Sequence, residues 1–432
     1  MDNMVNFTQQ VNNSVQTGIG NVKKNPGEYV EYLILAMCVF LIGFFIVWII
    51  TKTNLKDANC DTITRNFSHT LTNGDYCYET AEKIESIGFS DVNEDYDKAI
   101  YYNDDEMDKL EGDFKLRDFY VKTAYNCCAT GGFTHNFVDT CALKHCIEMQ
   151  ARCLDFEIYS YDDRPVIALS SQNDYNIKES YNYLEFDDVM KTISDYAFSR
   201  HCQVEKKVDP MILHFRIKSS NINILNKMAQ SIFQHFSEKI LPRKFSYEYN
   251  NKDLGEVAIK DLREKIVIMI NKVDDGNNSI VNIEESELYE YVNIISGGAD
   301  MRLFRLDDAK LNGQMDEIQS WNKSKLTMVL PNNSNNPSNI DWEEMSHRVN
   351  TLNNDIIQGY GIQFIGQCFQ YNDSYLTKYH EDFNTKKRAF ILKPKKLRKQ
   401  IPSVTVDIAS VQKLGEDGAN AAGELTRFSM YS

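Results

Sequence analysis

Apolar and polar positions along this chain fall into three regimes. Tyr32–Ile50 reads YLILAMCVFLIGFFIVWII, 19 residues without a charge. As a helix rising 1.5 Å per residue it reaches roughly 28 Å, the thickness of a bilayer's hydrocarbon core. Tyr32 and Trp48 lie near its ends, where interfacial aromatics belong. A buried soluble helix rarely runs so long without a polar position. A secretory signal is disfavoured by the length of the run, its start well inside the chain and the lack of a small-x-small cleavage site. The pattern predicts one retained transmembrane helix over 32–50, preceded by a polar arm over 1–31.

Residues 51–114 form the second regime, an acidic and polar linker or collar. A helix is expected around Tyr78–Ile87, and charge is dense over Asn93–Asp113.

From Leu116 short apolar runs recur: Phe119–Ala124, Cys153–Tyr159, Pro165–Leu169, Met211–Ile217, Lys265–Ile270, Glu290–Ile295, Leu326–Leu330 and Ile362–Phe369. Helical periodicity fills several gaps, at Val138–Gln150, Phe186–Ala197 and Ile224–Ile240. Strand alternating with helix means parallel strands joined by crossover helices. About eight such units predict a closed (β/α)8 barrel of TIM type over 115–402, with a doubly wound open sheet as the alternative. The acidic, Gly/Asn-rich 274–287 reads as a loop between a first half (115–273) and a second half (288–402). Asn332–Asn339 is a further exposed loop, and 403–432 a tail too short to form a domain.

Composition narrows the class. Aromatic residues make up 12% of the chain, enough to exclude general disorder. A formal charge of −15 argues against nucleic-acid binding, which needs an excess of cations over the phosphates. Orientation in the membrane is nearly a tie, with Lys23 and Lys24 before the span and Lys52 and Lys56 after it. Ten cysteines show no zinc spacing, so no structural metal is expected. Cys60 and Cys77 are close enough in sequence to pair, with buried free thiols as the plainer reading. Asn-x-Ser/Thr triplets at Asn66, Asn277, Asn322 and Asn372 arise readily by chance in an Asn-rich chain.

Several runs carry more than periodicity. ARCLDFEIYSYDDRPVIAL (Ala151–Leu169) resembles the CRCxELDxWDG…PVIYHGH segment of eukaryotic-type phosphatidylinositol-specific phospholipase C. FDDVMKTISDYAF, DPMILHFRIKSS and DLREKIVIMINK are similar to that family's next elements, in its order. Gly361–Arg398 is similar to its GxQMVALNFQTxD…LKPxxLR end. The resemblance covers about 115–400 and implies that family's split barrel. It also implies chemistry in which two histidines transfer protons and Ca²⁺ neutralises charge.

That chemistry fails residue by residue. Tyr125 falls at the first histidine's position and Leu169 at the second's. A phenol with pKa near 10 is a poor proton carrier at neutral pH, and an alkyl chain carries none. Asn126 matches a calcium ligand, and Asp155 and Glu157 exchange the family's Glu and Asp. Arg216 replaces a further Glu, and its guanidinium would repel Ca²⁺ and pair with Asp155 or Glu157 instead. Phosphate-binding lysines align with Met269 and Asn271, and an Arg and a Tyr with Met328 and Leu330. The resemblance therefore implies a degenerate barrel with no catalytic residues, metal or cofactor.

The expected role is structural: a membrane-tethered barrel offering its surface to other proteins, such as a virion component of a large DNA virus joining an internal membrane to a capsid. One alternative is phosphoinositide or membrane recognition, using the basic cluster over Lys386–Lys399. Another is an active phosphodiesterase with a rearranged site using His135 or His214.

Overall fold

The computed structural model describes residues 26–72, 114–171, 177–198, 209–250, 253–271, 283–305, 315–331, 359–385 and 389–399, with the isolated Asn13. Its longest element is α1 (Pro26–Thr72), in which the apolar run of the sequence continues into a polar second half. Proline suits the first turn, where its missing N–H leaves no intrahelical bond unmade. From Val30 to Ile50 the large side chains are exposed. By length and composition this helix could cross a membrane. Thr51 and Thr53 return their hydroxyls to the carbonyls of Val47 and Ile49 at 2.8 and 2.9 Å, so the helix leaves the apolar run without unmet polar groups.

The second half of α1 docks on the globular part. Lys56 pairs with Asp139 at 2.7 Å, Asn59 donates to Asn136 Oδ1 at 3.0 Å, and Ile63 is buried. Cys60 is disulfide-bonded to Cys141, 81 residues on. This corrects the pairing of Cys60 with its sequence neighbour Cys77. The continuous helix carries Cys60 to the first turn of the helix Thr140–Glu148, a placement that sequence proximity does not encode. Position 77, the helix expected at 78–87, the acidic stretch 93–113, the loop 332–339 and the tail all lie outside the described residues, as does most of 274–287.

Eight strands make the barrel: β1 (Phe119–Ala124), β2 (Cys153–Tyr161), β5 (Met211–Ile217), β6 (Ile266–Asn271), β7 (Val292–Ser296), β8 (Met301–Arg305), β9 (Leu326–Leu330) and β10 (Phe364–Gln367). They run in the order β7-β6-β5-β2-β1-β10-β9-β8, and every neighbouring pair in that path is parallel. The ring is nearly closed. Between β7 and β8 a chain turn takes the place of a ladder, and Gly297 N–H donates to Met301 O at 2.8 Å.

The expected eight runs need one exchange. Pro165–Leu169 is not a barrel strand. β3 (Arg164–Ile167) folds back antiparallel on β2 through Asp162 and Asp163, both at positive φ, and then pairs β4 (Leu184–Glu185). Two residues are too few for a parallel crossover, and Asp tolerates the left-handed region. The eighth strand is β8, whose MRLFR pattern lacks a continuous apolar run. β11 (Phe390–Leu392) closes against β1 antiparallel.

Alternation along each strand builds two cores. Leu154, Phe156 and Ile158 of β2 and Leu213, Phe215 and Ile217 of β5 pack outward. There they meet α2 (Thr140–Glu148), α3 (Phe186–Tyr196) and α4 (Ile222–Phe236), through residues such as Leu143, Val189 and Ile232. Two further helices are α5 (Met315–Asn322) and α6 (Ser374–Thr385). The opposite parity, Cys153, Ile212, Val267, Met269, Met328 and Phe364, forms the inner core. Positions 155, 157, 214 and 216 share this inner parity, and they are not apolar.

Candidate functional site

Parallel register sets the charged residues side by side. Asp155 of β2 lies opposite His214 of β5, and Glu157 opposite Arg216. All four are buried, Asp155 just beyond the last paired residue of β1 and Arg216 one residue before the end of β5, towards the C-terminal face at which barrels of this architecture carry chemistry. Asn126 joins them from the loop after β1. Its φ of 48° is one that asparagine tolerates better than most residues, and its backbone N–H donates to Asp155 Oδ2 at 3.2 Å.

Arg216 is the hub. Its Nε donates to Asp155 Oδ1 at 3.0 Å and its Nη2 to Asp155 Oδ2 at 2.8 Å. Nη1 donates to Glu157 Oε1 at 2.7 Å, and Nη2 also to Asn126 Oδ1 at 2.6 Å. The guanidinium lies against the ring of Tyr125, 4.6 Å from its centroid. His214 bridges Asp155 Oδ1 at 2.7 Å and Ser296 Oγ at 2.8 Å. Because an ionised carboxylate only accepts, the Nδ1 facing Asp155 carries the proton. Glu157 Oε2 accepts from Tyr159 Oη at 2.8 Å and from Ser170 N–H at 2.9 Å.

The two carboxylates are thus fully engaged. Burial opposes ionisation of Asp155, but the charge of Arg216 and the hydrogen bond from His214 outweigh it. The carboxyl is held well below the usual carboxylate range. Burial likewise works against the charge on Arg216, and Asp155 reverses that, so the guanidinium stays charged. Tyr125 is fully buried and accepts from Arg305 Nη1 at 3.1 Å. Burial raises its phenol above the ordinary value, with Arg216 and Arg305 partly offsetting. It is no more suited to neutral-pH proton transfer here than in isolation.

Leu169 is buried in the outer core, outside this polar network. Its neighbour Ser170 makes the contact to Glu157. Met269, Met328 and Leu330 are inner-core residues, and Asn271 accepts from Ile217 N–H at 2.9 Å. No cation stands at these four positions. His135 is exposed on the loop next to α1, apart from the network. In the basic cluster, Lys393 is buried and donates to the carbonyls of Asn322 and Gly361, and Lys399 pairs with Glu256 at 3.6 Å.

A divalent cation does not fit among these residues. The three oxygens that would hold it, Asn126 Oδ1, Asp155 Oδ2 and Glu157 Oε1, each accept from one guanidinium. A metal would need that charged group expelled from a buried site. Among the described residues one other cluster has ligand types, Cys60, Asp139 and Cys141. Its two sulfurs are bonded to each other and offer no thiolate. Sequence reasoning missed Ser296, Tyr159 and Arg305. Arg305 sits on the strand that lacks an apolar run, and the other two carry no motif signal.

The architecture is a parallel α/β barrel with a buried ionic cluster inside it, between β2 and β5. Residues 113–272 match the family described as phosphatidylinositol-specific phospholipase C, X domain. Among solved structures, PLC21 from L. pealei is 20% identical, with a TM-score of 0.52, over 67% of this chain and 38% of its own. PLC21 from S. officinalis is also 20% identical, with a TM-score of 0.51 over the same shares. This chain therefore spans well under half of those proteins' length. No curated protein sequence matches. The barrel has the phosphatidylinositol-specific phospholipase C-like fold, and its first half carries that family's X-domain pattern.

Proposed function

We propose that this is a membrane-anchored, catalytically silent phospholipase C-like barrel that acts as a structural or interaction protein. The observation that carries the reading is Arg216. It ties the three oxygens that would bind a cation into a hydrogen-bonded ionic cluster inside the barrel. Tyr125 and Leu169, at the positions of the family's two histidines, supply neither base nor acid at neutral pH. With no machinery for phosphodiester cleavage, the persisting parts are the anchor, the rigid barrel and its surface. A particle in which a protein shell is fastened to an internal membrane, as in a large DNA virus, is a setting that suits those parts.

Two measurements test this. The full chain in phosphatidylinositol-containing vesicles with Ca²⁺ is expected to release no inositol phosphate above a protein-free blank, and clear turnover overturns the silent reading. Crosslinking in the source membrane or particle, read by mass spectrometry, is expected to join the barrel to shell or coat proteins. Crosslinks to lipid alone overturn the structural role.

A further inference from the structure

The α1–barrel junction carries information about which side of the membrane the barrel occupies. Cys60 lies ten residues beyond Ile50, so roughly 15 Å of helix separates it from the end of the apolar run. It is set against Cys141 by neighbours on both sides. Lys56 pairs with Asp139, whose other oxygen accepts from Cys141 N–H at 2.8 Å, and Asn59 reaches Asn136 and Thr130. The pairing is part of a built interface, not an encounter of two surface thiols.

The remaining thiols agree. Beyond the apolar run, the free cysteines among the described residues are Cys127, Cys128, Cys146, Cys153 and Cys368, and all are buried. Among the described residues, exposed free cysteine is thus confined to Cys38, within the run itself. Structural disulfides form and persist in oxidising compartments and are rare where thiol buffers keep cysteines reduced.

Lys52 sits over the Tyr181 ring, 5.5 Å from its centroid, and Lys56 is engaged by Asp139. These two contacts add to the α1–barrel interface.

We propose that the barrel faces an exoplasmic, oxidising compartment, where Cys60–Cys141 closes and Asn372 is an N-glycosylation site. The inference rests on the reading of Tyr32–Ile50 as a membrane span, and it puts the barrel's structural partners on that same face. Closure is an exchange with an oxidised dithiol carrier protein. One thiolate attacks the carrier's disulfide, the second displaces the carrier, and the carrier leaves as a dithiol with both hydrogens and both electrons. Of the two acceptor triplets with described side chains, Asn322 is buried and donates to Tyr360 O at 2.9 Å. Asn372 is exposed on the loop between β10 and α6. There its amide nitrogen can displace the lipid pyrophosphate from the anomeric carbon of a lipid-linked oligosaccharide, losing one proton.

The test expresses the full chain in a eukaryotic cell line with the variants C60S, C141S, N372Q and N322Q. Membranes are extracted with alkaline carbonate, thiols are alkylated before and after reduction, and glycans are removed with an endoglycosidase. The expected result is a carbonate-resistant protein with two thiols that label only after reduction, a pair lost in C60S and in C141S alike. N372Q is expected to lose one glycan, while N322Q loses none. A carbonate-resistant protein whose Cys60 and Cys141 label without reduction overturns the proposal. So does a disulfide without a glycan at Asn372, which would place oxidation on the cytosolic side. Release by carbonate is a different failure, that of the span itself.

Discussion

Arg216 and Asp155 meet through two N–H groups of one guanidinium and both oxygens of one carboxylate, at 2.8 to 3.2 Å, inside a barrel with no exposure at Asp155. Glu157 and Asn126 complete the cage, so one positive group answers two negative ones, with His214 hydrogen-bonded beside them. Such a cluster is internally consistent only while every member is present.

Removing the cation should therefore cost far more than removing a surface charge. Arg216→Met keeps much of the volume but leaves two carboxylates facing each other without water. Breaking a buried pair from one side costs about 3–5 kcal/mol. Urea unfolding of the full chain in detergent is expected to show a midpoint well below that of the unaltered protein. An unchanged midpoint would mean that the cluster contributes nothing to folding.

A sharper variant reverses the charge. Arg216→Glu puts a third carboxylate beside Asp155, Glu157 and Asn126, an all-oxygen set of the kind hard divalent cations take. The variant is expected to unfold at lower temperature than the unaltered protein in chelator and to recover several degrees with millimolar Ca²⁺. The unaltered protein should not respond. If Ca²⁺ raises the melting temperature of the unaltered chain by as much, the guanidinium does not exclude the metal.

How far the sequence revealed this depends on which force each feature expresses. β1 and β9 were legible to the residue, because apolar residues dominate each run, with Lys122 and Thr123 the polar members of β1 and Thr327 that of β9. The ends of β2 were less so, since Ser160 and Tyr161 extend the strand by pairing with β3 in a hairpin rather than by burial. β8 was invisible for a related reason. Arg302 and Arg305 interrupt its pattern and are accommodated by Glu317 and by Tyr125 and Pro331, partners far away in sequence. Within the site, Asn126, Asp155, Glu157 and Arg216 could be named from motif positions. Their joint geometry needed the parallel register of β2 on β5, and the contributions of Ser296 and Tyr159 needed the fold itself.

Stability should rise with pH from mild acid into the alkaline range. Burial lowers Lys122 to about 7, and burial likewise lowers Lys393 to about 7. Burial lowers His145 to about 4, with Lys122 adding to the effect. In each case the folded value lies below the unfolded one, so the unfolded chain binds more protons in between. Stability is then gained as pH climbs from about 4 to 6.5 through His145, and from about 7 to 10.5 through the two lysines. Asp155 acts in the same direction in stronger acid, because its depressed carboxyl contributes stability above its unfolded value of 3.8 that is lost as pH falls. Unfolding free energies at pH 6 and pH 9 check this, with pH 9 expected to be higher. The difference should shrink in Lys122→Met, and a profile that falls between those two points would contradict it.

The opposite end of the barrel is held by one amide. Gln363 Nε2 lies within hydrogen-bond reach of the carbonyls of Arg117, Asn322 and Lys325, and its Oε1 accepts from Thr327 N–H at 2.9 Å. It thereby links the entry to β1, the end of α5 and the start of β9, three segments that share no ladder at that level. Gln363→Leu deletes the donor and the acceptor and leaves buried main-chain groups unmet, a loss of about 2–4 kcal/mol given 1–3 kcal/mol for each unsatisfied group. Gln363→Glu separates the two functions. Its carboxylate can still accept from Thr327 but faces carbonyl oxygens where the amide donated, so at neutral pH it should be at least as destabilised as the leucine variant. Protonation restores a donor, which makes the folded state bind a proton more tightly than the unfolded chain. The penalty of Gln363→Glu relative to the unaltered protein should accordingly shrink as pH falls toward 5, while that of Gln363→Leu stays constant. Parallel urea titrations at pH 5 and pH 8 check the contrast, and equal pH dependence in the two variants would show that donation to the three carbonyls is not what holds this end together.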